Sequence, residues 1–158
     1  MSYEDFLIRY DGRHAEWVDG EVIVPLPISD RHDAVSTFLT TILSIFVQSR
    51  GLGRALIAPF QMKLGPTGPG REPDVMFVAR GRLDRVLRTR LAGPADVAIE
   101  IISPDSVERD RHDKYAEYEA TGVPESGRAT PLPSRVRVGP RLGQIRLESV
   151  PPRAGGAV

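Results

Sequence analysis

Glu100 is the residue whose neighbours most demand an explanation. It interrupts Asp96-Val97-Ala98-Ile99-Glu100-Ile101-Ile102-Ser103, an otherwise nearly apolar run of the kind found in a strand buried on both faces. A carboxylate there is costly unless it is paired, protonated or bound to a cation. The plainer alternative is a glutamate on an exposed sheet edge, since Ala98, Glu100 and Ile102 share a face that need not be fully covered. Asp74 opens a second apolar strand, Val75-Met76-Phe77-Val78, directly after Pro73. A lone aspartate at a strand entrance is ordinarily a turn cap. If the two strands are neighbours, however, Asp74 and Glu100 converge at one end of a sheet, where two carboxylates bind a hard divalent cation through oxygen. Lys114 follows Asp110 by one helical turn, which by itself is an i,i+4 ion pair. It stands out because lysine is scarce, Lys63 and Lys114 against 19 arginines, and an ammonium is a compact charge suited to holding a water or a phosphate oxygen. His32 and Glu21 are weaker candidates, for which surface positions serve equally well.

These residues need elements to carry them. Trp17-Val18 and Glu21-Val22-Ile23-Val24 flank Asp19-Gly20, a pair favoured in two-residue hairpin turns. From about Asp30 to Arg50, Val35, Phe38, Leu39, Ile42, Ile45 and Phe46 recur at spacings of three and four, predicting an amphipathic helix with one buried stripe. Ser29 or Asp30 can cap it and Gly51 can close it. Strands are expected at Arg54 to Phe60, Asp74 to Ala79 and Asp96 to Ser103, and a second helix at about Ser106 to Thr121, ended by Gly122 and Pro124. The order of hairpin, helix, strands and helix gives a mixed α/β class with a sheet covered by helices.

The 158 residues suit one domain. With no cysteine, disulfide frameworks, thiolate zinc sites and cysteine nucleophiles are excluded. The longest apolar stretch, Phe38 to Val47, is too short to span a bilayer, and MSYEDFLIRYDG lacks a signal-peptide pattern, so a soluble cytoplasmic protein is expected. The zero net charge conceals an asymmetry: residues 1–125 hold 15 Lys and Arg against 20 Asp and Glu, whereas residues 126–158 hold 6 Arg against Glu148 alone. An acidic body does not grip nucleic acid by net charge, but it suits a metal site.

Together these segments resemble the Uma-type restriction-endonuclease family of the PD-(D/E)XK nuclease superfamily. The resemblance covers most of residues 14–125. It rests on Glu16-Trp17-Val18-Asp19-Gly20-Glu21, Ser29 to His32, Ala58-Pro59-Phe60 and Glu72-Pro73-Asp74-Val75. It continues in Glu100-Ile101-Ile102-Ser103-Pro104, Arg109-Asp110-Arg111, Lys114, Tyr118 and Gly122-Val123-Pro124-Glu125. It implies a restriction-endonuclease-like mixed sheet flanked by helices, and metal-assisted hydrolysis of DNA phosphodiesters. Asp74, Glu100 and Lys114 would be catalytic. Asp74 and Glu100 would hold Mg²⁺ or Mn²⁺ with the Ile101 carbonyl, and Glu21 would be an additional carboxylate near the metal. The superfamily's lysine two residues after the glutamate is replaced by Ile102, and Lys114 stands where similar proteins carry a substitute. Superfamily members are often dimers, although no segment here marks an interface.

After Glu125 the pattern breaks, because similar proteins continue with an aromatic-rich strand while this chain reads Ser126-Gly127-Arg128-Ala129-Thr130-Pro131. The expected organisation is therefore an endonuclease-like domain at 1–125 and an atypical Arg/Pro/Gly-rich tail at 126–158, frameshifted or disordered, leaving the sheet incomplete at its C-terminus. The competing functional expectation is an inactive remnant acting at most as a binding module.

Overall fold

In the computed structural model, which describes residues 1–25, 27–101, 114 and 116–129, the chain opens with a helix, α1 (Tyr3–Arg9). The Ser2 hydroxyl caps it by accepting from the Asp5 N–H at 3.1 Å. Tyr3 and Phe6, one turn apart, are buried on Ala15, with Trp17 and Val22 packed alongside. The hairpin forms as expected from β1 (Glu16–Val18) and β2 (Glu21–Ile23). Asp19 and Gly20 both take positive φ, 49° and 88°, the conformation that a two-residue turn needs to match strand twist.

α2 (Asp30–Ser49) has Ser29 at its N-cap, accepting from the His32 N–H at 3.3 Å. Its buried stripe is narrower than the sequence periodicity predicts. Val35, Leu39 and Leu43, spaced by four, pack on the sheet, whereas Phe38, Ile42 and Ile45 are exposed. A helix lying over one sheet buries only the row that faces it, and the neighbouring row stays outside.

The remaining strands are β3 (Gly53–Ile57), β4 (Gln61–Lys63), β5 (Gly70–Arg71), β6 (Val75–Ala79), β7 (Arg90–Ala92), β8 (Val97–Ile101) and β9 (Glu125–Ala129), with a 3₁₀ helix at Arg80–Arg85. They form two sheets rather than the single sheet expected. One runs β3-β6-β8-β9, antiparallel except for the parallel β8/β9 pair, and so is mixed. The other runs β2-β1-β5-β4-β7. Short strands such as β4, β5 and β7, with two or three residues each, are too brief to show a period of two in sequence.

The four-stranded sheet lies between two apolar layers. Val75, Ile99 and Ile101 meet Leu39 of α2 on one face. Met76, Val78 and Ala98 meet Met62, Leu64, Leu91 and Tyr118 on the other. Each strand alternates between these layers, which explains why β6 and β8 read as continuous apolar runs.

The parallel β8/β9 pair requires a crossover. Residues 116–120 of that crossover are helical, as is Lys114, and the segment ends at Gly122 with φ 81°. The start of the expected second helix, including the Asp110 partner of Lys114, lies outside the described residues. The boundary expected after Glu125 falls on the first residue of β9, so Ser126 to Ala129 belong to the sheet. The rest of the expected tail, from residue 130, lies outside the described residues.

Candidate active site

β6 and β8 are antiparallel neighbours, paired Val75 to Ile99, Met76 to Ala98 and Phe77 to Val97. Continuing that register by one residue sets Asp74 opposite Glu100 at the open end of the pair, where directly opposed side chains are neighbours. Asp74 Oδ2 accepts from the Ile101 N–H at 2.6 Å, which ties the aspartate to the strand that carries the glutamate. On the other carboxylate oxygen, His32 Nε2 of the first turn of α2 stands 3.2 Å from Asp74 Oδ1. His32 is buried, and its Nδ1 has no partner among the described residues.

Glu100 Oε1 accepts from the Tyr118 hydroxyl at 2.7 Å. Its Oε2 is 3.7 Å from Lys114 Nζ, and Lys114 is closer to Glu16, 2.8 Å from Oε1. Glu16 is further held by the Glu72 N–H at 3.1 Å and by Arg71 at 2.9 Å. Arg71 in turn grips Glu117 with two parallel bonds of 2.7 Å, the fork geometry that arginine makes with a carboxylate. The cluster therefore gathers strand residues of both sheets and the helical residues Lys114, Glu117 and Tyr118.

Burial and charge act differently on its members. Burial pushes the Glu100 carboxyl up, to about 7; the Lys114 ammonium counters this only in part, and the Asp74 charge adds to it. Burial also opposes ionisation of Glu16, but Lys114 and Arg71 together outweigh it and hold that carboxyl below its usual range. The Tyr118 hydroxyl is pushed well up by burial and by the Glu100 charge, so it stays a proton donor to Glu100. Among the described residues, five carboxylates (Glu16, Glu72, Asp74, Glu100 and Glu117) gather around two permanent cations (Arg71 and Lys114). Positive charge is short, and burial pushes the Glu72 carboxyl, like that of Glu100, up to about 7.

That shortfall suits a hard divalent cation. Among the described residues no three His, Asp or Glu side chains are grouped closely enough to hold a metal ion by themselves. Mg²⁺ does not require such a cage, since it usually takes one or two carboxylates and completes its shell with water and phosphate oxygens. The all-oxygen pair of Asp74 and Glu100 fits this pattern.

The structure thus brings Asp74, Glu100 and Lys114 together. Glu21 is placed elsewhere: it is exposed on β2, at the outer edge of its sheet, paired with Val18. Glu16, on the paired strand, is the buried hairpin carboxylate and the one that reaches Lys114. Glu16, Arg71 and Glu117 were not singled out from sequence. Glu16 and Arg71 are the next pair in the β1/β5 register, after Trp17 and Gly70, a proximity that only the sheet creates. Lys63, the other lysine, is a separate matter: its ammonium lies 4.3 Å and 4.4 Å from the centres of the Tyr3 and Trp17 rings, a packing role within α1 and the hairpin.

The comparison that decides the family is a match of residues 2–153 to the model of Uma2, described as "Putative restriction endonuclease". The chain belongs to the Uma2 family. The Uma2 match extends well beyond residue 125, the point at which the resemblance read from the sequence ends. Comparison with curated proteins gives no match. Among solved structures, the chain is similar to a putative nuclease of the DUF820 group from Anabaena variabilis, at 20% identity and a TM-score of 0.61. That similarity covers 74% of this chain and 66% of the other, just under two thirds of its length, and it shows the nuclease-like fold. No helix among the described residues is long and apolar enough to cross a membrane.

Proposed function

We propose that this Uma2 protein is a metal-dependent endonuclease that hydrolyses DNA phosphodiester bonds, with Asp74 and Glu100 holding Mg²⁺ or Mn²⁺. The observation that carries the reading is the partly buried pair of opposed carboxylates, Asp74 and Glu100, short of counter-charge among the described residues beside Lys114. When bound, a divalent cation supplies an acidified water and neutralises charge growing on the phosphate. The chain's own residues then have distinct tasks. The Ile101 N–H and His32 fix the two oxygens of Asp74. The Tyr118 hydroxyl fixes Oε1 of Glu100 and leaves Oε2 toward Lys114. Lys114 presents its ammonium beside the carboxylate pair, where it can orient the attacking water or meet a phosphate oxygen. The family description supports DNA as the substrate. An inert binding module would have no need for two opposed, partly buried carboxylates so poorly neutralised by the described residues.

Incubation of plasmid DNA with the protein in Mg²⁺ or Mn²⁺ tests this. Cleavage that chelator stops and that Glu100→Gln abolishes is the expected result. Cleavage indifferent to chelation, or unchanged in that variant, would refute the assignment.

A further inference from the structure

We propose that Glu16 is a positioning residue that holds the Lys114 ammonium off Glu100, keeping the Glu100 carboxylate available to an incoming divalent cation. The cation in this statement rests on the nuclease reading, whereas the hold on the lysine rests on geometry alone. Lys114 Nζ is within hydrogen-bond distance of Glu16, 2.8 Å, and outside it from Glu100, 3.7 Å. Glu16 is a fixed anchor, because the Glu72 N–H holds Oε1 and Arg71 holds Oε2. Arg71 also binds Glu117, three residues after Lys114, and both of these residues are helical. One guanidinium thus ties the anchor to the segment that delivers the lysine. With the Glu16 charge removed, the balance of attraction on the ammonium shifts toward Glu100, and lysine and divalent cation compete for one carboxylate.

Two measurements on the full chain test this. In metal-free protein, double-mutant cycles of thermal unfolding compare Glu16→Gln with Lys114→Met and Glu100→Gln with Lys114→Met. Stronger coupling in the first pair is expected; equal or stronger coupling in the second overturns the proposal. Calorimetric titration with Mn²⁺ then reads the consequence for the site. Glu16→Gln should bind Mn²⁺ roughly three- to tenfold more weakly than the wild type, and the loss should vanish in the Lys114→Met background. A loss that persists without the lysine would make Glu16 merely structural and overturn the proposal. If the wild-type protein binds no Mn²⁺, the nuclease reading fails and takes the cation half of the proposal with it, while the unfolding cycles still decide whether Glu16 holds Lys114.

Discussion

Glu16 and Glu100 are the same residue type, both lie away from solvent, and both are reached by one lysine, yet the fold drives their protonation in opposite directions. Burial works against the charged form of each. At Glu16, Lys114 and Arg71 overcome it. At Glu100 the more distant lysine cannot, and the neighbouring Asp74 charge makes ionisation harder, so the carboxyl is pushed up to about 7. Burial alone therefore does not decide whether a carboxyl keeps its proton. The ratio of carboxylates to cations within reach does, and here it separates a structural clamp from a site that is short of positive charge.

The sharpest way to break this comparison is to remove the cation that Glu16 and Glu117 share. Arg71→Met should cost about 3–5 kcal/mol, because it strips the buried Glu16 and the partly buried Glu117 of the guanidinium that they share. Chemical denaturation would show it as a lower midpoint; an unchanged midpoint would mean that the clamp contributes no stability.

Divalent cation should act on the other side of the comparison, at the opposed carboxylates Asp74 and Glu100. At a concentration 100 times its dissociation constant it should stabilise the fold by about 2.7 kcal/mol, raising the midpoint by roughly 5–10 °C. Glu100→Ala should abolish that rise.

The pH dependence sharpens the contrast further. Below pH 4.5 Glu100 is protonated in both the folded and the unfolded chain; between 4.5 and about 7 only the folded protein keeps the proton, so stability falls as pH rises through that window and then levels off. Metal-free Glu100→Gln should accordingly be more stable than the wild type at pH 8, by about 1–3 kcal/mol, and the gain should disappear near pH 4. Glu16 has the opposite sign: its lowered pKa contributes stability at neutral pH that is lost on acidification, so Glu16→Gln should destabilise at pH 8 and matter less in acid. Thermal melts across pH would check both, and variants that shift in the same direction would contradict the distinction. The smallest effect is expected at Glu21. Glu21→Gln should change stability by no more than about 0.5 kcal/mol and leave Mn²⁺ affinity unaltered, since the side chain is exposed on an edge strand.

Much of the frame was legible because its signals are local. The Asp19-Gly20 turn, the Ser29 cap and the apolar runs of β6 and β8 each follow from neighbouring residues and appear where the sequence puts them. α1 escaped because its buried pair, Tyr3 and Phe6, gives too short a repeat to announce a helix. The five-stranded sheet escaped for a related reason: Gly70–Arg71 and Gln61–Lys63 carry no periodicity of their own and become strands only when paired.

By itself, the sequence determined which groups the protein would have to accommodate. A glutamate amid Val97, Ala98, Ile99, Ile101 and Ile102 is out of place under the hydrophobic effect wherever the chain folds, and a scarce lysine on a helical stretch carries its charge into any arrangement. Tertiary structure alone decided which groups meet. The antiparallel register sets Asp74 opposite Glu100, the hairpin buries Glu16 near its base and leaves Glu21 exposed beside its turn, and Arg71 on a strand reaches Glu117 46 residues away. Electrostatic interactions depend on distance through space, and partners dozens of residues apart along the chain acquire that distance only when the sheets close.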